Sequence, residues 1–367
     1  MKLPLYLHSL ICVLLGLTLT DCGVPGLPRP PSLDLPQPVS DLRAVRKGDT
    51  VFLAWTVPSE TTDGVKIRKL GFTRICRKPD ARSRDCTNSA GTVGPPQPAE
   101  EAHGKSSATE KVTASYTEQV PKALLGNDPA AELFYAVSVL NQNGRSAGLS
   151  NEVAVPAIVA LPPPTDFRAV VTAAGILLSW DGFSQTADTQ EMRHLYRVYR
   201  RELGTNVDTV VGQVAFMRND TYSLADHSFE WEKTYDYRAT VVQVIHVDAK
   251  PEQQFEGDDS APLLLFAHDI FPPAVPSGLQ AVSSGPGQQP FMDLIWTPDT
   301  DADLAGYNIY RREAGTSEQK INSELIRTPA FRDSNVLPGH TYFYSVSAVD
   351  VRGNESARSA EASEPLQ

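Results

Sequence analysis

Three stretches of this 367-residue chain open on the same short pattern, and that repetition limits the fold more than any other feature. Asp41–Val45 reads DLRAV, Asp166–Val170 reads DFRAV and Gly278–Val282 reads GLQAV. Each leads into an alternating stretch that ends in tryptophan: FLAW at Trp55, LLSW at Trp180 and DLIW at Trp296. A run of Tyr, Val and Arg follows, YRVYRRELG from Tyr196 and YNIYRREAG from Tyr307, with TRICRK from Thr73 as the divergent first copy. A later run recurs as LFYAVSV from Leu133, YDYRATV from Tyr235 and YFYSVSA from Tyr342. A Ser-Ala pair precedes the last strand of each copy, at Ser146, Ser260 and Ser356. Self-similarity of this kind means one structural unit used three times.

Alternation with period 2, enrichment in β-branched and aromatic residues, and turns marked by Gly, Pro, Asn and Asp specify antiparallel strands. About seven strands per segment with one early core Trp specify a sandwich of two sheets. The expected fold is therefore all-β, with no helix of consequence beyond the N-terminal segment. Val155–Pro164 (VPAIVALPPP) and Phe271–Pro276 (FPPAVP) read as short proline-bearing linkers, which suit a semi-rigid rod.

These residues resemble the fibronectin type III family over nearly all of the chain after the N-terminal segment. The third copy is most similar, through WTPDTDADLAGYNIYRR and LPGHTYFYSVSAVDVRGNES. The resemblance makes Trp55, Trp180 and Trp296 core residues. It makes Tyr235 and Tyr342 corner tyrosines, whose hydroxyls would bond backbone. Leu133 takes that place in the first copy, so no corner is expected there. The domains implied are 38–157, 162–270 and 273–367. The first carries an insertion at about 86–112 whose composition suits a mobile loop.

Little in the chain points to catalysis. The seven histidines show no i,i+4 pairing and no HExxH, and no G-x-S-x-G, P-loop or G-x-G-x-x-G occurs. Asp299, Asp301 and Asp303 alternate as in a calcium loop, but Gly306 is misplaced and no Glu closes the loop, so a solvated turn is the expectation. Asp226 and Asp333 recur ahead of the corner tyrosines and read as turn caps. No metal or cofactor is expected. The net charge of -11 argues against nucleic acid as a partner.

A candidate binding face comes from strand parity. With Tyr196 and Val198 inward, Arg197, Tyr199 and Arg201 point outward, as do Tyr310 and Arg312 in the third copy. Exposed Tyr–Arg rows can act as contact anchors, and a cross-strand ladder is the alternative reading. Cys76 occupies the Tyr position of the first copy. Cys76 and Cys86, spaced C-x9-C, are expected as a disulfide in an exported protein, with free thiols as the alternative. KGD at Lys47–Asp49 falls where a hairpin turn is needed. NDT at Asn219 and NES at Asn354 match the glycosylation sequon.

Residues 1–21 combine Lys2 with a run of Leu, Ile and Val and read as an export signal. Leu19, Thr20 and Cys22 are similar to the box that ends the signal of bacterial lipoproteins, where the cysteine takes the lipid. Asp21 departs from that pattern. Residues 22–37 (CGVPGLPRPPSLDLPQ) resemble the tether between lipid and first domain. The resulting expectation is a non-catalytic envelope lipoprotein, lipid-anchored at an outer membrane or cell surface. It would display three modules as a spacer, adhesive or protein-binding rod toward an envelope or extracellular protein or polysaccharide. The alternative is a secreted or periplasmic binding protein without lipid, for example for polysaccharide.

Overall fold

The computed structural model describes residues 33–366 apart from 79, 81, 84, 85, 87, 97–110, 183–187, 218–220, 249 and 250. Cys22, the signal, most of the tether, much of the insertion and the Asn219 sequon therefore lie outside the described residues. Among those described, strands dominate, and the helical element is one 3-10 turn at Lys122–Leu124. No helix in them is long and apolar enough to cross a membrane. The chain forms two compact units. One comprises residues up to Val45 with Thr50–Gln119 and Glu132–Val155, and the other Arg46–Asp49, Val120–Ala131 and Pro156–Gln367.

The first sandwich is made of β1 (Arg43–Lys47), β2 (Thr50–Thr56), β3 (Leu70–Lys78), β4 (Ser89–Val93), β5 (Thr113–Gln119), β6 (Glu132–Asn141) and β7 (Val153–Pro156). Its sheets run β1-β2-β5 and β4-β3-β6-β7. The alternation in TVFLAWT turns Val51, Leu53 and Trp55 inward, and Ile75, Tyr135 and Val137 of the other sheet are buried as well.

The second contains β8 (Thr165–Thr172), β9 (Gly175–Asp181), β10 (Met192–Glu202), β11 (Asp208–Ala215), β12 (Thr221–Asp226), β13 (Thr234–Ile245), β14 (Gln253–Asp259) and β15 (Leu263–Phe266). A three-stranded sheet β12-β9-β8 faces β11-β10-β13-β14, with β15 also paired to β13. Trp180 sits in its core with the Tyr196 ring edge-on at 5.5 Å and the Tyr222 ring stacked at 6.2 Å. Such aromatic pairs add to what burial alone contributes.

The third repeats the plan with β16 (Gln280–Ser283), β17 (Met292–Ile295), β18 (Leu304–Glu313), β19 (Gln319–Lys320), β20 (Ala330–Asp333), β21 (Thr341–Asp350) and β22 (Ala362–Pro365). Sheets β16-β17-β20 and β19-β18-β21-β22 enclose Trp296, with Tyr307 edge-on at 5.1 Å.

One detail departs from the sequence reading. Ser89–Val93, at the start of the expected loop insertion, is a strand: β4 pairs with β3 from Cys76↔Ser89 to Thr73↔Val93. Its backbone is held by the neighbouring strand rather than by its own weak β propensity. In the structure Ser150, Ser260 and Ser359 are equivalent, because each hydroxyl accepts the N–H of Val137, Ala239 and Val346, at 2.9, 3.1 and 3.1 Å. Ser146 and Ser356 hold other places, bonded to Ser138 Oγ and Ala348 N.

The corner tyrosines bond backbone five residues upstream. Tyr235 Oη accepts from Glu230 N at 2.9 Å and donates to Glu230 O at 3.2 Å. Tyr342 Oη accepts from Leu337 N at 3.0 Å. In the second unit the linker after β15 is tied to loops of the third sandwich. Asn354 Nδ2 donates to Asp269 O at 3.1 Å, and Ala274 N donates to Asp301 Oδ2 at 2.9 Å.

Candidate binding face

The outward residues of β10 and β18 meet carboxylates from elsewhere in their own sandwich. Tyr199 donates its hydroxyl to Glu256 of β14. Arg197 reaches the same carboxylate at 2.5 Å and Gln254 at 2.6 Å. Arg201 makes a two-toothed pair with Asp208 at 2.7 and 2.9 Å. Arg238 of β13 shares Asp208, reaches Asp259 at 3.0 Å and lies 4.9 Å over the Tyr199 ring.

The protonation states follow this arrangement. Burial and the bond to Glu256 push the Tyr199 phenol up to about 12. Burial alone would raise Glu256, but the bonds from Tyr199 and Arg197 outweigh it and hold it below its usual value. The bonds from Arg238 and Arg201 hold Asp208 well below the carboxylate range.

In the third sandwich Tyr310 donates to Glu355 at 2.5 Å, and the Arg358 guanidinium lies 3.7 Å over its ring. Glu355 also accepts from Asn308 at 3.1 Å. Arg312 pairs with Glu361 through two bonds of 2.6 Å and covers Phe343 at 4.3 Å. Tyr310 is only 8% exposed, so the row is not open at that position. The polar tips of Tyr199, Arg201, Tyr310 and Arg312 each meet a carboxylate of the same sandwich. The arrangement is a cross-strand ladder. In the first sandwich the equivalent Cys76 is joined to Cys86 by a disulfide.

Sequence parity missed a second recurrent group. On the inward side of β10, two residues after Val198, Arg200 donates to Asp226 Oδ2 at 2.7 Å. Tyr237 donates to the same oxygen at 2.8 Å, while Ser228 N and Oγ bond Oδ1 at 2.8 Å each. Arg311, Asp333 and Tyr344 repeat this at 2.7 and 3.0 Å, with Asn335 N capped at 2.9 Å. Arg77 pairs with Glu118 in the first sandwich, where Tyr135 is the buried residue at the repeat place of Tyr237 and Tyr344. Asp226 and Asp333 thus cap turns and also anchor buried arginines. The signal was present in the second and third copies, as an Asp eleven residues ahead of a Tyr, Asp226 with Tyr237 and Asp333 with Tyr344.

The acidic turn is organised from within. Asp299 Oδ1 accepts Asp301 N at 2.9 Å. Asp303 lies with Asp269 and Asp350 in a cluster whose ligand oxygens fall within 4.8 Å of one another, so these three carboxylates could hold a cation. Burial and the charges of Asp269 and Asp350 push Asp303 up. Arg352 places its guanidinium 3.6 Å from Asp269 and 3.9 Å from Asp303, supplying positive charge. The Asn354 side-chain amide is engaged by Asp269 O and, at 2.8 Å, by Asp350. At Lys47–Asp49, Gly48 takes φ +55 in the turn between β1 and β2.

No protein-family model matches the chain. It is 34% identical to an Fn3-like protein from Clostridium thermocellum of known crystal structure, covering 94% of that chain and 26% of this one, with a TM-score of 0.23. The chain is a tandem fibronectin type III protein. The FN1–FN3 domains of chicken CNTN1 match at 15% identity over 90% of this chain and 99% of theirs, with a TM-score of 0.26. Two amylopullulanases match over single segments: 43% identity over 94 residues for that of Thermoanaerobacterium saccharolyticum, and 41% over 95 for that of Thermoanaerobacterium thermosulfurigenes. These cover 25% and 26% of this chain, which spans only 7% and 5% of the length of those relatives.

Proposed function

We propose that this fibronectin type III protein is a non-catalytic spacer and binding rod held at the cell envelope by lipid on Cys22. The observation that carries the reading is the linker after β15, whose backbone is bonded to Asn354 and Asp301 of the third sandwich. A linker tied to the module beyond it transmits position, which is what a spacer requires. The sheet faces fit this role, since their tyrosines and arginines are engaged in ladders rather than converged on a reacting centre. More than one acyl chain would be needed for stable anchoring.

The resemblance to amylopullulanase segments supports a second reading, an accessory module for polysaccharide on an unlipidated secreted protein. Intact mass of the mature protein and detergent-phase partitioning separate the two. Mass beginning at Cys22 with a diacylglyceryl group, and recovery in detergent, supports the anchored rod. An unmodified mass starting beyond Cys22, recovered in the aqueous phase, removes the anchor and leaves the secreted module.

A further inference from the structure

The inward row of β10 does not end at Tyr196. It continues to His194, opposite Gln243 of β13, and then to Met192, opposite Ile245. Residues two apart on a strand share a face, so this end of the second sandwich carries a thioether and an imidazole on one face. Met192, His194 and Gln243 line a cavity of about 240 Å³ together with the apolar Ile158 and Leu161 of the preceding linker. Gln243 Nε2 lies 3.4 Å from Met192 Sδ.

His194 is 3% exposed. Its Nδ1 lies 2.9 Å from Asp188 Oδ1, which also accepts the His194 backbone N–H at 2.9 Å. An ionised carboxylate only accepts, so Nδ1 carries the hydrogen and Nε2 is the nitrogen left to meet a further ligand. Nε2 is buried and has no hydrogen-bond partner among the described residues. A buried polar atom without a partner calls for an occupant, either solvent or an ion.

We propose that Met192 and His194 form a binding site for a soft monovalent cation, Cu(I). A thioether with a neutral imidazole is a soft donor pair, whereas calcium and magnesium require oxygen ligands. A carboxylate behind the second ring nitrogen is the outer contact that orients metal-bound histidines. Asp188 supplies it here.

The test is anaerobic competition against a chromophoric Cu(I) chelator, using the full chain with Cys12 and Cys22 alkylated. One equivalent of Cu(I) should pass to the protein, and the His194 ring nitrogen resonance should move on titration. His194→Gln should abolish that equivalent. Met192→Leu, which conserves volume, should weaken it measurably if the first variant does not fold. Asp188→Asn should lower affinity by about 10–100-fold without removing a ligand. Absence of stoichiometric uptake, or equal uptake by wild type, His194→Gln and Met192→Leu, would overturn the site and assign Nε2 to a water.

Discussion

Asp226→Ala offers the sharpest test of what holds the second sandwich together. The carboxylate is 1% exposed and accepts four bonds, from Arg200, Tyr237 and the backbone and hydroxyl of Ser228. Its loss leaves the Arg200 side chain, itself 12% exposed, as an unpaired charge and strands the Tyr237 hydroxyl. Breaking one side of a buried pair costs about 3–5 kcal/mol, a large share of the roughly 5–15 kcal/mol that stabilises a domain. Hydrogen exchange read by mass spectrometry on the full chain isolates the effect. Amides of Thr234–Ile245 should exchange roughly 10²–10⁴-fold faster, since about 1.4 kcal/mol is a factor of ten, while those of Thr341–Asp350 stay unchanged. Asp333→Ala should reverse the pattern.

The acid limb gives a second reading of the same group. Burial alone would raise the Asp226 carboxyl, but the bonds from Ser228 and Tyr237 and the Arg200 charge hold it below its ordinary 3.8. A depressed folded value means the stabilisation is complete above the unfolded value near about 3.9 and is lost as pH falls through the lower folded value. The gap between wild type and variant should therefore be flat from neutrality to about pH 4 and narrow below it. An exchange change under tenfold at neutral pH would refute the reasoning, because it would mean that water replaces the carboxylate at little cost.

Other parts of the fold carry their own tests. Tyr342→Phe removes the acceptor of Leu337 N and should lower the stability of the third sandwich by about 0.5–1.5 kcal/mol, read as a urea midpoint shift. Replacing Cys76 and Cys86 together by Ser should cost the first sandwich about 2–3 kcal/mol by the loop-closure estimate, and thermal unfolding of the variant should lose its sensitivity to reductant. Gly71→Ala would place a Cβ 2.4 Å from the backbone oxygen of Asn141, so β3 must shift, and a loss of about 1–3 kcal/mol should appear in the melting of the first unit.

The features legible in the sequence were those that depend on parity and on large side chains. Trp55, Trp180 and Trp296 occupy one repeat place, and alternation alone turns them inward. Tyr235 and Tyr342 were legible because the corner bond is local, five residues long. What escaped depends on partners contributed from elsewhere in the sandwich. Parity placed Tyr199 and Tyr310 on the outer side of β10 and β18, but an outer side is exposed only if nothing crosses it. Glu256 and Glu355, both distant in sequence, cross it. The Ser-Ala pairs precede the last strands but do not disclose the register, since Ser150 and Ser359 are set by the ladder N–H that each hydroxyl must satisfy.

The buried Arg–acid–Tyr group sits between these cases. Arg200 follows Val198 by two residues, so the alternation that buries Val198 also turns Arg200 inward, and a buried guanidinium requires an acceptor. Asp226 and Asp333 stood at one repeat place ahead of Tyr237 and Tyr344, and their spacing matched a cap equally well. They serve as both. One oxygen of Asp226 caps the turn and the other holds the arginine and the tyrosine, so the turn and the sandwich interior are fixed by a single side chain. The first sandwich shows how far the arrangement can vary. Asp226 and Asp333 end their strands, whereas Glu118 lies one residue inside the end of β5, and it retains the pairing with Arg77 without the cap. The pairing persists where the cap is lost, which marks the inward arginine as the constraint that this position answers.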